Sequence, residues 1–224
     1  MEFTVQKLHP ALCGGQRLII RNSNAPAFSY QGAWDSACSL YCLGMAGTIL
    51  GRLTDPAKVS SRRRGPEAVF WEKARRFYLS GTSLTELVDL IHDLDWKLAT
   101  VVLEGAHSRI MEFCEKELSR GHLVIVNWRP VREPLFHSVL AVGLEGLMRG
   151  RKFDAHTLLV LDPSEAEPWL ATCNARMSLG RGASGNRSRD ALYVTASYTG
   201  PVIADGAVSI RVTGTKRTVR AEPP

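Results

Sequence analysis

The segment QGAWDSACSLYCLGMAGTILGRL, residues 31–53, runs from a polar, glycine-containing turn directly into an apolar stretch, with Cys38 at the junction. Apolar residues fall on every side of that stretch. Residues 36–53 therefore read as a helix buried all round rather than an amphipathic one. Asp35 or Ser36 is placed to cap it, which sets Cys38 in the first helical turn. There, unpaired backbone N–H groups and the positive end of the helix dipole favour a thiolate over a thiol. Such a nucleophile needs a base to take its proton, and the base needs a third polar group to hold its tautomer.

Of the six histidines, His137 has neighbours that supply that third group. It opens the strand-like run FHSVLAVG, residues 136–143, just after the proline-containing RPVREP. The next run, TLLVLDP, carries Asp162 at its end. Adjacent antiparallel strands would set His137 and Asp162 side by side, with the imidazole facing the helix mouth. Asn127 also ends a strand-like run, LVIVNW, and is the rival orienter. His9, His92, His107 and His122 lie in loops or on helices without a matching partner, and His156 with Asp154 reads as a hairpin pair. Cys42, one turn beyond Cys38, and Cys114, on an apolar helix face, read as core. Cys13 sits in a glycine-rich turn. Cys173 could be a second exposed thiol, and Trp34 and Trp169 are candidates to line a groove or to pack in the core or rim.

The elements that must position these residues follow from periodicity. Residues 1–30 read as extended or irregular, with a short strand at 18–21. Pro66 suits the first turn of a helix whose Phe70, Ala74, Phe77 and Tyr78 share a face. Ser83 and Glu86 form a capping-box pair ahead of a helix striped by Leu84, Leu87, Val88 and Ile91. Strand 96–103 precedes a helix over 108–120 that Gly121 can terminate. Strand-like runs follow at 123–128, 137–143, 156–162, 191–198 and 207–213. Helices first and strands second predict an α+β fold, a helical half packed on a C-terminal antiparallel sheet. The expectation is one domain over 1–224, its core about 17–213, with a mobile loop at 180–190 and a frayed tail after Thr213.

Composition excludes several classes. At 224 residues and 45% apolar content the chain can build a full core. No run approaches the ~20 apolar residues of a membrane span, and the first ten residues lack the shape of a secretory signal. The five cysteines match neither a zinc site nor a disulfide framework, which points to free thiols in a reducing compartment. The expected location is the cytoplasm, or delivery from it without a classical signal peptide. The net charge of +6 is spread over separate loops, without a nucleic-acid reading motif.

Taken in order, Gln31, Cys38 at the head of a buried helix, RGHLVIVNW, FHSVLAVG and LLVLDP resemble the papain-like cysteine peptidases. The nearest group is the bacteriocin-processing (double-glycine leader) peptidases and their stand-alone relatives. The resemblance covers roughly residues 17–170. It implies that Cys38 attacks, His137 is the base, Asp162 orients it and Gln31 donates to the oxyanion. It also implies a peptide or protein substrate and no metal or organic cofactor. Two departures stand out: the Gln31–Cys38 spacing is one residue longer than usual, and Ser39 follows the cysteine where the family has glycine. An acyl transferase or deamidase would use the same triad. A catalytically inactive peptide-binding module on the same fold is the non-enzymatic alternative.

Overall fold

The computed structural model describes residues 2–33, 35–180 and 188–213. Trp34, the stretch 181–187 within the expected loop, and the tail beyond Thr213 lie outside the described residues. Four α-helices stand where the apolar patterning places them: α1 Cys38–Ile49, α2 Pro66–Ala74, α3 Leu84–Asp93 and α4 His107–Ser119. α1 is buried from Ser39 to Ile49 apart from the half-buried Tyr41, as a helix apolar on all sides requires. α3 opens with the capping box: Glu86 N donates to Ser83 Oγ at 3.2 Å, and Ser83 N donates to Glu86 Oε2 at 2.8 Å. α4 ends just before Gly121, whose φ of 80° is a left-handed conformation that suits glycine.

The start of α1 corrects the sequence reading. Its N-cap is Ala37, and no side chain caps the first turn. Asp35 is spent one step earlier, accepting from Gly32 N and Ala37 N at 3.1 Å each. These two bonds close the turn that delivers the chain to Cys38.

The strands are β1 Glu2–Leu8, β2 Leu12–Cys13, β3 Ile19–Ile20, β4 Leu98–Glu104, β5 Leu123–Pro130, β6 His137–Arg149, β7 Lys152–Leu161, β8 Ala175–Ser178, β9 Ala191–Val194 and β10 Thr199–Val212. β2 and β3 form a small separate pair; the other eight make one antiparallel sheet. Within it β5, β6, β7, β8, β9 and β10 pair in sequence, and β10 pairs back to β5, closing a barrel-like ring. β1 continues the edge of β6 beyond β5, and β4 continues the edge of β10 beyond β9. Helix and sheet are both present as expected, but the plan of helices first and strands second does not hold. β1 joins the sheet from the irregular N-terminal stretch, upstream of the expected core, and β4 precedes α4. β8 was not foreseen, and the run 191–198 breaks after Val194 into a turn that leads to β10. β1 escapes pattern reading because it is exposed at nearly every position. Its place is set by backbone pairing to β6, which leaves no alternation to read.

Strand alternation divides the apolar side chains between two cores. Leu123 and Ile125 of β5, Leu140 and Val142 of β6, and Val208 and Ile210 of β10 pack with α1, α2 and α3. Val124, Val126 and Trp128 of β5 and Val139 and Ala141 of β6 pack inside the ring with Ile110, Met111 and Cys114 of α4. Burial on both faces explains why LVIV reads as an unbroken apolar run. Among the described residues no helix is long and apolar enough to cross a membrane.

One close approach is testable. A Cβ at Gly143 would strike the carbonyl oxygen of Lys7 and the backbone of Leu8. Gly143→Ala is expected to push β1 off β6 at a cost of about 1–3 kcal/mol. Urea unfolding would measure the loss, and hydrogen exchange would locate it at residues 2–8.

Candidate active site

The junction of the two cores brings three predicted residues together. Cys38 is the first residue of α1, His137 the first of β6, and Asp162 follows the last residue of β7. Leu140 pairs with Leu161 across β6 and β7, so the antiparallel register carries His137 alongside Asp162. His137 Nε2 lies 2.7 Å from Asp162 Oδ1, and the ring is near enough to Cys38 for each to shift the protonation of the other. Trp128, paired with His137 across β5 and β6, meets the imidazole edge-on at 5.4 Å between centroids.

Asp162 is held from every side. Its Oδ1 also accepts from Ser164 N at 2.9 Å and Ser164 Oγ at 2.7 Å. Its Oδ2 accepts from the buried Tyr193 hydroxyl at 2.7 Å. Its backbone is clamped by Asn174, which accepts from Asp162 N at 2.7 Å and donates to Asp162 O at 2.8 Å. A side chain fixed this way cannot rotate off the imidazole without breaking several bonds.

The charges follow from these contacts. Burial alone would raise the Cys38 thiol, but the hydrogen bond and charge of His137, with donors from Ser138, outweigh it and hold the thiol below its ordinary value. Burial alone would lower His137, but its bonds to Asp162 and then Cys38 raise it to about 9. Burial likewise opposes the Asp162 carboxylate, and His137, Ser164 and Tyr193 hold it below the usual range. With the thiol lowered and the imidazole raised, the thiolate–imidazolium pair is favoured over the neutral pair, with a carboxylate behind it.

Gln31 sits in the turn before α1. Its backbone N donates to Pro163 O at 2.7 Å, tying it to the residue after Asp162. Its Nε2 donates to Asp35 O at 3.1 Å. One hydrogen of that amide is thus committed to the turn, and the other is left for a further acceptor. Ser39 turns toward Thr82, with the two hydroxyls 2.5 Å apart. Cys38 opens onto a cleft of about 440 Å³ lined mainly by small and hydroxyl-bearing residues, including Ser36, Ser80, Thr82 and Ser138, with Phe136 beside them. Gly81, at φ 75°, brings its loop so close to Ser36 O that a side chain would crowd it.

The rivals lie elsewhere. Asn127 lines the cleft but accepts from Ser138 Oγ at 2.7 Å rather than facing His137. His92 faces Thr100, His107 Nδ1 accepts from Ala204 N, and His156 faces Thr157. Cys42 and Cys114 are fully buried, as core residues should be. Cys173 is buried too, with its thiol pushed up by burial, which corrects its reading as an exposed thiol. Trp169 is 59% exposed and bridges to Arg17, away from the cleft lining. Sequence reasoning missed Ser138, Ser164, Asn174 and Tyr193. Ser138 and Ser164 are near neighbours in sequence of triad members and were within reach of a local reading. Tyr193 arrives from β9 and Asn174 from the loop before β8, elements whose pairing the sequence does not reveal. Among the described residues no group of three or more His, Cys, Asp or Glu side chains is placed to hold a metal ion.

No protein-family model matches the chain, and no curated protein matches it by sequence. Among solved structures, the crystal structure of UfSP from C. elegans is similar at a TM-score of 0.45 and 13% identity. The match covers 93% of this chain and 37% of that one, so the chain spans little more than a third of its length.

Proposed function

We propose that this chain is a papain-like cysteine peptidase that hydrolyses a peptide or isopeptide bond. The observation that carries the reading is the continuous line from Cys38 through His137 to the immobilised Asp162. The order Gln, Cys, His, Asp along the chain is that of the papain-like peptidases, the bacteriocin-processing group among them. In the reaction, Cys38 Sγ attacks the scissile carbonyl carbon. The resulting oxyanion takes hydrogen bonds from Cys38 N–H in the uncapped first turn of α1 and from Gln31 Nε2. His137 then protonates the leaving amine, leaving a thioester. The neutral imidazole next draws a proton from water, whose oxygen attacks the thioester carbonyl. The C–S bond breaks, the acid departs, and the ion pair is restored.

The test is incubation of the full chain with a proteome-derived peptide mixture, read by mass spectrometry for new termini. Cleavage that disappears on alkylation of Cys38 is the expected result. Absence of any Cys38-dependent cleavage overturns the reading for peptide bonds, and a ubiquitin-like isopeptide panel then tests the second bond type.

The pH dependence has a definite sign. Below the lowered thiol pKa the sulfur is protonated and cannot attack. Above about 9 the imidazolium has lost the proton it must give to the leaving amine. Peptide kcat/KM should therefore be bell-shaped with an alkaline limb near 9, while alkylation of Cys38 should persist above that limb because it needs only the thiolate. Parallel pH profiles of the two reactions check this.

A further inference from the structure

A second cavity, of about 230 Å³, lies against α1 and shares no lining residue with the catalytic cleft. Ala37, Leu40, Tyr41 and Gly44 recur at spacings of three and four, so they present one face of the helix to it. Phe70, Trp71 and Ala74 of α2 line it as well, and Tyr78 joins them from the turn beyond α2. Tyr30 stands at the rim with 60% of its surface exposed. Trp71 meets Tyr78 edge-on at 5.5 Å between centroids. Among the described residues that line the cavity, none carries a charge. Their polar side-chain groups are the tyrosine hydroxyls, the hydroxyls of Ser29 and Ser60, and the indole N–H of Trp71. The same wall holds the turn that leads to Cys38. Ser36 N donates to Tyr78 O at 3.1 Å, and the Tyr41 hydroxyl donates to Asp35 Oδ2 at 3.4 Å.

An apolar cavity of about 150 Å³ takes a benzene ring, and sites for drug-sized ligands start at about 300 Å³. A volume of about 230 Å³ therefore fits one ring with a small substituent. The aromatic lining can pack edge-on or offset against such a ring. A charged guest would lose its hydration with no opposite charge among the lining residues to replace it. The hydroxyls can pair with one donor or acceptor carried by the ring. We propose that this cavity binds a single uncharged aromatic ring bearing one hydrogen-bonding group, the chemistry of a phenol or an indole. Such a ring comes either as a free small molecule or as the tyrosine or tryptophan side chain of a bound peptide. Its binding is independent of whether Cys38 is a nucleophile.

Titration of para-fluorophenol into the full chain, followed by fluorine NMR and by the backbone amides of Ala37, Leu40, Tyr41 and Gly44, reads binding and its place together. Saturable binding with a Kd below about 1 mM is expected for a ligand of this size, with those amides shifting. A Cβ at Gly44 would meet Phe70 Cε1 at 3.8 Å, an ordinary contact, so the longer side chain of Gly44→Leu has room to enter the cavity. That variant should weaken binding at least tenfold. Ala57→Phe narrows the cavity from an exposed lining position outside α1 and should weaken binding too, which carries the test if Gly44→Leu fails to fold. The charged analogue para-fluorobenzoate should bind at least tenfold more weakly than the phenol. N-acetyltyrosinamide separates the two sources of the ring. Binding as tight as that of the phenol marks a peptide side chain, and weaker binding marks a free small molecule. Absence of saturable binding, phenol affinity unchanged in the folded variants, or benzoate affinity equal to that of the phenol overturns the proposal.

Discussion

Cys38→Ala is expected to abolish hydrolysis while the fold survives. The sulfur is the atom that bonds to the substrate carbonyl, and no other thiol is positioned to replace it. Cys42 is fully buried one turn further along α1, its Sγ donating to Ser138 O, and its thiol is pushed up by burial and the neighbouring charges of Cys38 and Asp162. Removing the nucleophile of a covalent mechanism should reduce turnover at least about 10⁴-fold. The stability change should stay within about 1 kcal/mol, because Cys38 is only half-buried and His137 keeps its bond to Asp162. Cys42→Ala is the contrast, expected to cost on the order of 1 kcal/mol in packing and to leave Cys38 alkylation in place. Product formation by mass spectrometry beside thermal unfolding of both variants checks the pair. Full activity in Cys38→Ala would remove it as the nucleophile.

Asp162→Asn is the second large effect, expected to lower turnover about tenfold to a thousandfold with little loss of fold. Asparagine has the same shape. Its Oδ1 can still accept from His137 and from both donors of Ser164, and its Nδ2 can donate to the Tyr193 hydroxyl oxygen. The charge is what disappears. The carboxylate is a leading reason that His137 titrates near 9, so its loss lowers the imidazole pKa. A weaker imidazolium is a weaker partner for the thiolate, so the Cys38 thiol pKa rises and the acid limb of alkylation moves to higher pH. The loss should be smaller than that from Cys38→Ala, because a thiolate of lowered pKa needs less help from the base than a serine does. Steady-state kinetics and the alkylation profile together test the assignment. Unchanged turnover and an unmoved limb in Asp162→Asn would reduce Asp162 to the aspartate of a turn.

Much of the site's framework was legible because it is written in local pattern. α1 announces itself as an apolar run with a polar turn before it, and its first residue is the cysteine. The capping box at Ser83 and Glu86 and the stop at Gly121 are short-range hydrogen-bonding and dihedral effects, carried by a few adjacent residues. The pairing of His137 with Asp162 could be anticipated because β6 and β7 follow one another in the chain, and consecutive antiparallel strands usually neighbour in space. The N-cap of α1 could not be read the same way. Asp35 has the right residue type for a cap, but Gly32 N and Ala37 N compete for its carboxylate, and only the path of the turn decides which donors win.

What only the tertiary structure decided is the surroundings of that line of residues. Closure of the ring depends on β10 pairing back to β5, a contact between segments far apart in sequence. No periodicity encodes which strand edge meets which. Tyr193 reaches Asp162 from β9, and Asn174 reaches it from the loop before β8. The choice of Asp162 over Asn127 as the partner of His137 is of the same kind, since both residues lie at the ends of apolar strand-like runs. The side-chain period of a strand sends Asn127 toward α1 with Leu123 and Ile125, where Ser138 meets it, while Asp162, just past the end of β7, is free to turn onto the imidazole. The sequence by itself determined a nucleophile at a helix mouth and a histidine on a strand. The fold determined which carboxylate faces that histidine and what holds it there, because a hydrogen bond depends on distances of a few tenths of an ångström that only the packed chain sets.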